Sequence, residues 1–360
     1  MQKILSVIIP MYKVEDYVRK CLNSFILADN SLMNELEVLC INDGTPDHSA
    51  DIAKEYEAKY PQTFRVIDKE NGNYGSCINR GLKEAQGKYI RICDGDDSYE
   101  TEGLATLLRL LAKLEVDLVI TEYCVVNAGG KITCQDGLHT SCPKLPSDKV
   151  FDMKEYMSKT DFAFPPQMHR STYRTSMLRE IGYHQTEGIS YTDQQWAIIP
   201  LIHARTAYYL PVLVYRYLLG REGQTMSTDN QVKNVPQLYQ VLLDLADYYE
   251  HGNYDPFYKP FLVRCISWQL YGFYPETLIY HRGDKGALKD FDRKMAQYSD
   301  IYNMISKSRA YLRGHIAYID YWRRHNYKDL PWLYRKLCAI LEARGRRIAE
   351  KKSSVKSSQS

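Results

Sequence analysis

The first 125 residues alternate short apolar runs with helix-length segments, and no other feature of the chain restricts its fold as strongly. The runs from Ile4 to Ile9, Glu37 to Ile41, Phe64 to Ile67, Lys88 to Cys93 and Asp117 to Tyr123 have the length and composition of strands. Between them lie helical patterns from Val14, near Ser49 to Lys59, near Ser76 to Ala85, and from Glu102 to Leu114. Strands joined through helices in this rhythm give βαβ units, hence an α/β protein with a mainly parallel sheet flanked by helices. Ligands then bind beyond the carboxyl ends of the strands.

The alternation stops after a Gly129-Gly130 hairpin signal between Val125 and Cys134 and a polar stretch from Cys142 to Asp148. Mixed patterns over Gln167 to Tyr173, Thr192 to His203 and Ala207 to Tyr217 are expected to complete the sheet. From about Gln231 the apolar spacing is helical throughout: Val235 to Tyr249, Phe257 to Tyr271, Phe291 to Ile305, Tyr311 to Trp322 and Trp332 to Ile348. The expected organisation is an α/β domain over 1–230, a helical C-terminal domain over 231–350 and a disordered basic tail over 351–360. At roughly 150 residues per domain, 360 residues suffice for two.

The net charge of +3 is unevenly spread: residues 331–360 hold eight Lys/Arg against two Glu, so that end carries +6 and the remainder −3. A body of that charge argues against nucleic acid as a main partner. The last helical pattern sets Leu333, Leu337, Ile340, Leu341 and Ile348 near one face, with Arg335, Lys336, Arg344, Arg346 and Arg347 largely around the others. Two arrangements fit: peripheral contact of this basic helix with an anionic membrane, or docking on its own domain with the charges in water. No run reaches the ~18 apolar residues of a membrane span, and Ile4 to Ile9 meets Pro10 without a signal-peptide pattern. Nine cysteines without a C-x-x-C pair fit small hydrophobes in a reducing compartment. The expected localisation is cytoplasmic, with the inner face of the cell membrane open to it through that helix.

Three strand ends carry candidate chemistry. Asp94-Gly95-Asp96-Asp97 follows the strand ending at Cys93, and three carboxylates in four residues repel one another unless a cation sits among them. A hard, oxygen-seeking ion such as Mg²⁺ or Mn²⁺ suits them; the bland alternative is a solvated turn in which Asp97 or Ser98 caps the next helix. Asn42-Asp43-Gly44 leaves the second strand on the same rim, where Asp43 can accept hydrogen bonds from a base or ribose, or simply shape a turn. Asn71-Gly72-Asn73-Tyr74-Gly75-Ser76 allows close backbone approach before a helix N-terminus that favours phosphate. There is no G-x-G-x-x-G after the first strand and no P-loop, which removes the main support for a dinucleotide or P-loop site.

Taken in order, SVIIPMY (6–12), INDGTPD (41–47), KENGNYGSCINRGL (69–82) and GKYIRICDGDDSY (87–99) closely resemble family 2 glycosyltransferases with the GT-A nucleotide-sugar fold. Two later segments, GISYTDQQW (188–196) and YRYLLGREGQTMS (215–227), are similar to that family's base-bearing and closing segments. The resemblance implies a UDP-sugar donor with Pro10, Tyr12 and Glu15 at the uridine, Asp43 on the uracil or ribose, and Asn73 and Asn79 beside the nucleotide. It implies Asp96 as direct ligand of Mn²⁺ or Mg²⁺, Asp94 at the ribose or the metal, Asp97 as second choice, Arg221 over the diphosphate and Asp193 as general base. Asp161 and Glu187 are reserves for the base, and His169 and His184 for the metal.

Two departures matter. Thr192 stands where the family often has an acidic residue before the base, so that role rests on Asp193 alone, whose plainer alternative is a helix N-cap. The Q-x-x-R-W pattern of processive synthases is missing, so a single transfer to a glycan acceptor, lipid-linked in the family's habit, is expected rather than repeated elongation. A nucleotidyltransferase and a nucleotide-sugar or glycan-binding module without turnover are the rival classes. The first normally needs a Gly-rich basic loop where Val7 to Lys13 stands; the second has no use for Asp43, Asp94, Asp96 and Asp193 together.

Overall fold

The computed structural model describes residues 3–135, 137–161, 167–220, 228–307, 317–340 and 343. It divides into two compact units, Met1–Ser227 and Thr228–Ser360, against the expected boundary at 230. The expected tail over 351–360 lies outside the described residues.

The first unit is built on a ten-stranded sheet. Strands β1 (Leu5–Met11), β2 (Leu36–Asn42), β3 (Phe64–Asp68) and β4 (Tyr89–Ile92) lie parallel in the order β3-β2-β1-β4. Helices α1 (Glu15–Asn23), α2 (Asn30–Glu35), α3 (Ser49–Lys59) and α4 (Asn73–Glu84) connect them. The run LSVIIPM is buried at every position but Pro10, because this half of the sheet is covered on both faces. Beyond β4 the sheet becomes mixed. Strand β5 (Ser98–Tyr99) and helix α5 (Thr101–Leu111) lead to β6 (Leu118–Val126), and short strands β7 (Ile132–Cys134) and β8 (Val150–Asp152) precede β9 (Ser171–Arg174) and β10 (Thr206–Leu218). Strand β9 inserts antiparallel between β4 and β6, while β10 runs parallel to β6 and antiparallel to β5 and β8. The α/β class with flanking helices is as expected: the N-terminal half is wholly parallel, and β6 with β10 forms a further parallel pair. Strand β10 breaks register on both sides of Leu213, close to Pro211, which has no N–H for a ladder.

Parallel register places the ends of β1, β2 and β4 on one rim, with Met11 opposite Asn42 and Ile8 opposite Ile92. Arg91 anchors that rim from within: fully buried, it donates to Thr121 Oγ1 at 2.9 Å, Thr172 Oγ1 at 3.0 Å and the carbonyl of His169. One guanidinium thus fixes β4, β6 and β9 together, which satisfies most of its donors where water is absent.

The second unit is helical, with helices Thr228–His251, Lys259–Leu278, Lys285–Met295, Ser299–Lys307 and Tyr318–Arg324 and a further one over 332–340. The single helix expected from Phe291 to Ile305 is two. The chain turns after Met295 and restarts at Ser299–Asp300, which lets Leu288, Phe291 and Met295 share a buried side with Ile301 and Ile305. Fully buried Asp292 is paired to Arg323 Nη2 at 2.6 Å and accepts from Tyr274 Oη at 2.5 Å. Part of the pattern from Tyr311 to Trp322, and of that from Trp332 to Ile348, falls outside the described residues.

Candidate active site

The acidic turn leaves β4 through Cys93, whose N–H still bonds Ile8, and closes through Asp97 N–H to the Asp94 carbonyl at 3.0 Å. Gly95 sits where a Cβ would lie 3.0 Å from the Pro10 carbonyl, so the turn packs directly on the end of β1. Carboxylate oxygens of Asp94, Asp96 and Asp97 come within 4.8 Å of one another. The three have different partners. Asp94 Oδ1 accepts from Tyr74 Oη at 2.9 Å, and Asp94 and Asp96 line a cavity of about 490 Å³.

Asp97 is buried away from that cavity. Its Oδ2 accepts from Tyr215 Oη at 2.5 Å, its Oδ1 from Leu218 N–H at 2.6 Å, and Tyr215 Oη in turn accepts from Asp94 N–H at 3.2 Å. Burial, together with Asp96 and Asp94 nearby, holds its carboxyl well above the usual carboxylate range. Asp97, the second choice for the metal, thus braces the turn against β10 while its carboxylate stays within the acidic group. The helix cap expected of Asp97 or Ser98 is not formed: Ser98 lies in β5, and α5 begins after Glu100 without a side-chain cap.

Asp43 lies at the cavity with most of its acceptor capacity in use. Its Oδ1 takes Lys69 Nζ at 2.6 Å and Gly72 N–H at 2.9 Å, and its Oδ2 takes Asn73 N–H at 2.9 Å. The N-terminus of α4, expected to favour phosphate, already holds this anion. Asn73 adopts φ +67° and lines the cavity, as do Pro10 and Tyr12.

Five expected or reserve site residues sit elsewhere. Glu15 does not line the cavity; its Oε2 accepts from His48 N–H at 2.9 Å and so ties α1 to the start of α3. Asn79 is turned to residues 184–187: its Oδ1 accepts from Gln185 N–H at 2.8 Å and its Nδ2 donates to the Gln185 carbonyl at 2.9 Å and Glu187 Oε1 at 2.8 Å. His184 and Glu187 belong to that same clamp, outside the cavity. Asp161 is exposed and does not line it either. Arg221 lies outside the described residues.

The segment from Gln185 to Asp193 also reaches the cavity, and its path is set by close packing. At Gly75 an added Cβ would meet the Thr186 carbonyl at 2.0 Å, so only glycine lets α4 come this near. Gly188 at φ +79° donates to the Gly72 carbonyl at 2.8 Å, and Tyr191 adopts φ +68°, a costly conformation for an aromatic residue. Buried Thr192 gives its hydroxyl to Gln185 Oε1 at 3.0 Å, and Trp196 packs between Tyr173 and Tyr183.

These contacts leave Asp193, first residue of the helix Asp193–Ile198, on the cavity wall with Gln194 Nε2 at 3.3 Å. Burial pushes its carboxyl up to about 6, against hydrogen bonds from the backbone and from Gln194 that pull it down. Thr192, not Asp193, stands at the N-cap, and it makes no side-chain cap bond.

His169 also lines the cavity, on a bed of Tyr123, Tyr215 and Tyr217 at centroid distances of 5.1, 4.8 and 4.5 Å. Burial beside Arg91 and Arg170 lowers it to about 3, so the imidazole is neutral at physiological pH. Sequence reasoning passed over Tyr74, Tyr191, Gln194 and Tyr217, all at the cavity. Tyr74 was within reach, since it stands inside the Asn71 to Ser76 loop already marked as part of the rim.

Two carboxylates of a strand-end turn thus share one pocket with a third, whose basicity is raised. Comparison with known proteins gives this arrangement a family. A family model described as Glycosyl transferase family 2 matches residues 6–181, stopping short of Asp193. An uncharacterized glycosyltransferase of Mycoplasma pneumoniae is 38% identical over 247 residues, 67% of this chain and 77% of the relative. The poly(ribitol-phosphate) beta-glucosyltransferase of Bacillus spizizenii is 27% identical over 229 residues, 62% of this chain and 33% of the relative. Other curated relatives are likewise spanned over about a third of their length or less. Among solved structures, S. aureus TarS 1-349 in complex with UDP-GlcNAc is similar in fold, with a TM-score of 0.65 at 19% identity, covering 96% of this chain and 92% of that one. With the rim motifs, the GT-A sheet and a relative matched over most of its length in agreement, the chain belongs to glycosyltransferase family 2.

Proposed function

We propose that this chain is an inverting, metal-dependent, non-processive glycosyltransferase that moves a sugar from a UDP-sugar to a hydroxyl of a glycan acceptor in cell-surface polysaccharide or glycoconjugate synthesis. The observation that carries the reading is that Asp94, Asp96 and Asp193 line one cavity. The UDP-sugar donor is supported by the fold shared with UDP-GlcNAc-bound TarS, and the glycan acceptor by the activity named for the poly(ribitol-phosphate) relative. We further propose that the acceptor is lipid-linked and met at the inner face of the cell membrane.

Hard carboxylate oxygens gathered within 4.8 Å suit Mn²⁺ or Mg²⁺, and Asp96 with Asp94 would hold it, since Asp97 is committed to Tyr215 and Leu218. When bound, such an ion stabilises charge developing on the departing diphosphate. Tyr74 keeps Asp94 in place through its hydroxyl. Pro10 and Tyr12 line the uridine side, while Asp43 orders the Gly72 to Asn73 turn beneath it and presents its remaining acceptor capacity to the nucleoside. Asp193 takes the proton of the attacking hydroxyl. A carboxyl near 6 is largely ionised at neutral pH yet more basic than an ordinary one, which suits a general base. Attack from the side opposite the leaving diphosphate inverts the anomeric carbon.

The test is UDP release from a panel of UDP-sugars with and without Mn²⁺. Mn²⁺-dependent release with at least one donor is expected. UDP binding without release from any donor contradicts turnover and favours a binding module, and pyrophosphate release from UTP plus a sugar phosphate favours a nucleotidyltransferase.

A further inference from the structure

The helix over 332–340 turns its leucine face to water. Tyr334 and Cys338, one turn apart, form its docked side: Tyr334 stacks on Tyr321 with centroids 4.9 Å apart, and Cys338 is fully buried. On the other side Trp332 is 59% exposed, Leu333 73%, Leu337 46% and Ile340 47%. At about 100° per residue these four and Lys336 share a single arc of roughly 140°, clear of the docked side. The docking alternative drawn from the sequence is thus half right. The helix does pack on its own unit, but not through the face that periodicity marked as apolar.

A contiguous apolar face in water marks an interaction surface, and charge indicates what covers it. Residues 331–360 carry +6, so a second copy of this segment is repelled and an anionic surface is attracted. The side chains are those of a membrane–water boundary: an indole at one edge of the apolar stripe, with Lys336 Nζ over its ring at 4.7 Å from the centroid. Among the described residues no helix is long and apolar enough to cross a membrane, so this contact would be interfacial. We propose that Trp332, Leu333, Leu337 and Ile340 form a docking face for the headgroup region of an anionic bilayer. The proposal deepens the membrane part of the functional reading and depends on none of its catalytic assignments.

The experiment cosediments the full chain with phosphatidylcholine vesicles, with and without phosphatidylglycerol. Binding to the anionic vesicles is expected, weakening as salt is added. A triple variant, Leu333→Gln, Leu337→Gln and Ile340→Gln, is expected to bind at least about tenfold more weakly, since three apolar side chains no longer leave water. Its melting curve should match the wild type, because all three positions are exposed. Three results overturn the proposal: a wild-type chain that stays in the supernatant with anionic vesicles, a triple variant that sediments with them equally well, or a wild-type dimer that the triple variant dissociates without either binding vesicles. A chain that binds UDP but no vesicles sinks this proposal alone, and one that binds vesicles but no UDP sinks the catalytic reading alone.

Discussion

The two walls of the cavity are made in different ways. One wall is the rim of a parallel sheet, where Asp43 and Asp94 are carried to one edge by strand register and held by donors of their own chain. Another part of the lining is an irregular segment with left-handed Gly188 and Tyr191, clamped by Asn79 and packed on Gly75, and its carboxylate at the cavity, Asp193, is held up near 6 by burial. On the rim the raised carboxyl of Asp97 is buried off the cavity, whereas the strained segment puts a carboxyl of altered protonation equilibrium on the cavity itself. The same side chain serves as brace at Asp97, whose partners lie on β10, and as base candidate at Asp193, which lines the cavity.

That contrast can be broken most severely at Asp193. Asp193→Asn is expected to cut transfer by about 10² to 10⁴ while leaving UDP affinity unchanged; steady-state kinetics with a UDP titration would decide, and near-wild-type transfer removes Asp193 as base. Replacing this half-buried charge by a neutral amide should also raise stability at neutral pH. A carboxyl raised from its usual range to about 6 destabilises the fold increasingly as pH climbs between those values, by up to about 3 kcal/mol, and the variant escapes that penalty. Denaturant melts of both proteins at about pH 4 and 7.5 measure it, and a variant less stable at the higher pH contradicts the burial argument.

On the rim wall, Asp97→Ala leaves Tyr215 Oη and Leu218 N–H without their buried acceptor and is expected to cost about 2–4 kcal/mol. A loss below about 0.5 kcal/mol by chemical denaturation would show that Asp97 braces nothing. The pH dependence of transfer sharpens the other wall: with donor saturating, rate should rise about tenfold per unit up to about pH 6 and then level, because only the ionised base accepts the proton. A rate still flat when pH is lowered to about 5 places the group in the ordinary carboxylate range. The smallest expected effect is Asn79→Ala, about 1–2 kcal/mol from the lost clamp, with reduced transfer and intact UDP binding. Weakened UDP binding instead would return Asn79 to the nucleotide side.

The rim was legible because its information is local. Apolar runs predict strands, each is followed at once by its acid, and parallel order sends those acids to one edge, so Asp43, Asp94 and Asp96 could be placed together from spacing alone. Helix Ser49–Lys59 matches its pattern at both ends for the same reason. What escaped depends on partners far along the chain. Nothing near Asp97 announces Tyr215, and nothing near Asn79 announces Gln185, more than a hundred residues away in each case. Glu15 stands in a motif-like position yet bonds His48. Over 332–340 periodicity found the apolar face, but which side of a helix a domain covers is decided by Tyr321 and its neighbours, not by the helix.

The most direct measurement is a calorimetric titration of UDP, with and without Mn²⁺, into the wild type, Asp96→Ala and Asp193→Asn. Mn²⁺-enhanced binding in the wild type and in Asp193→Asn, with the enhancement gone in Asp96→Ala, is the outcome required by a cation held at the strand-end turn and a base across from it. Equal Mn²⁺ enhancement in Asp96→Ala, or its loss in Asp193→Asn, would contradict that division of labour.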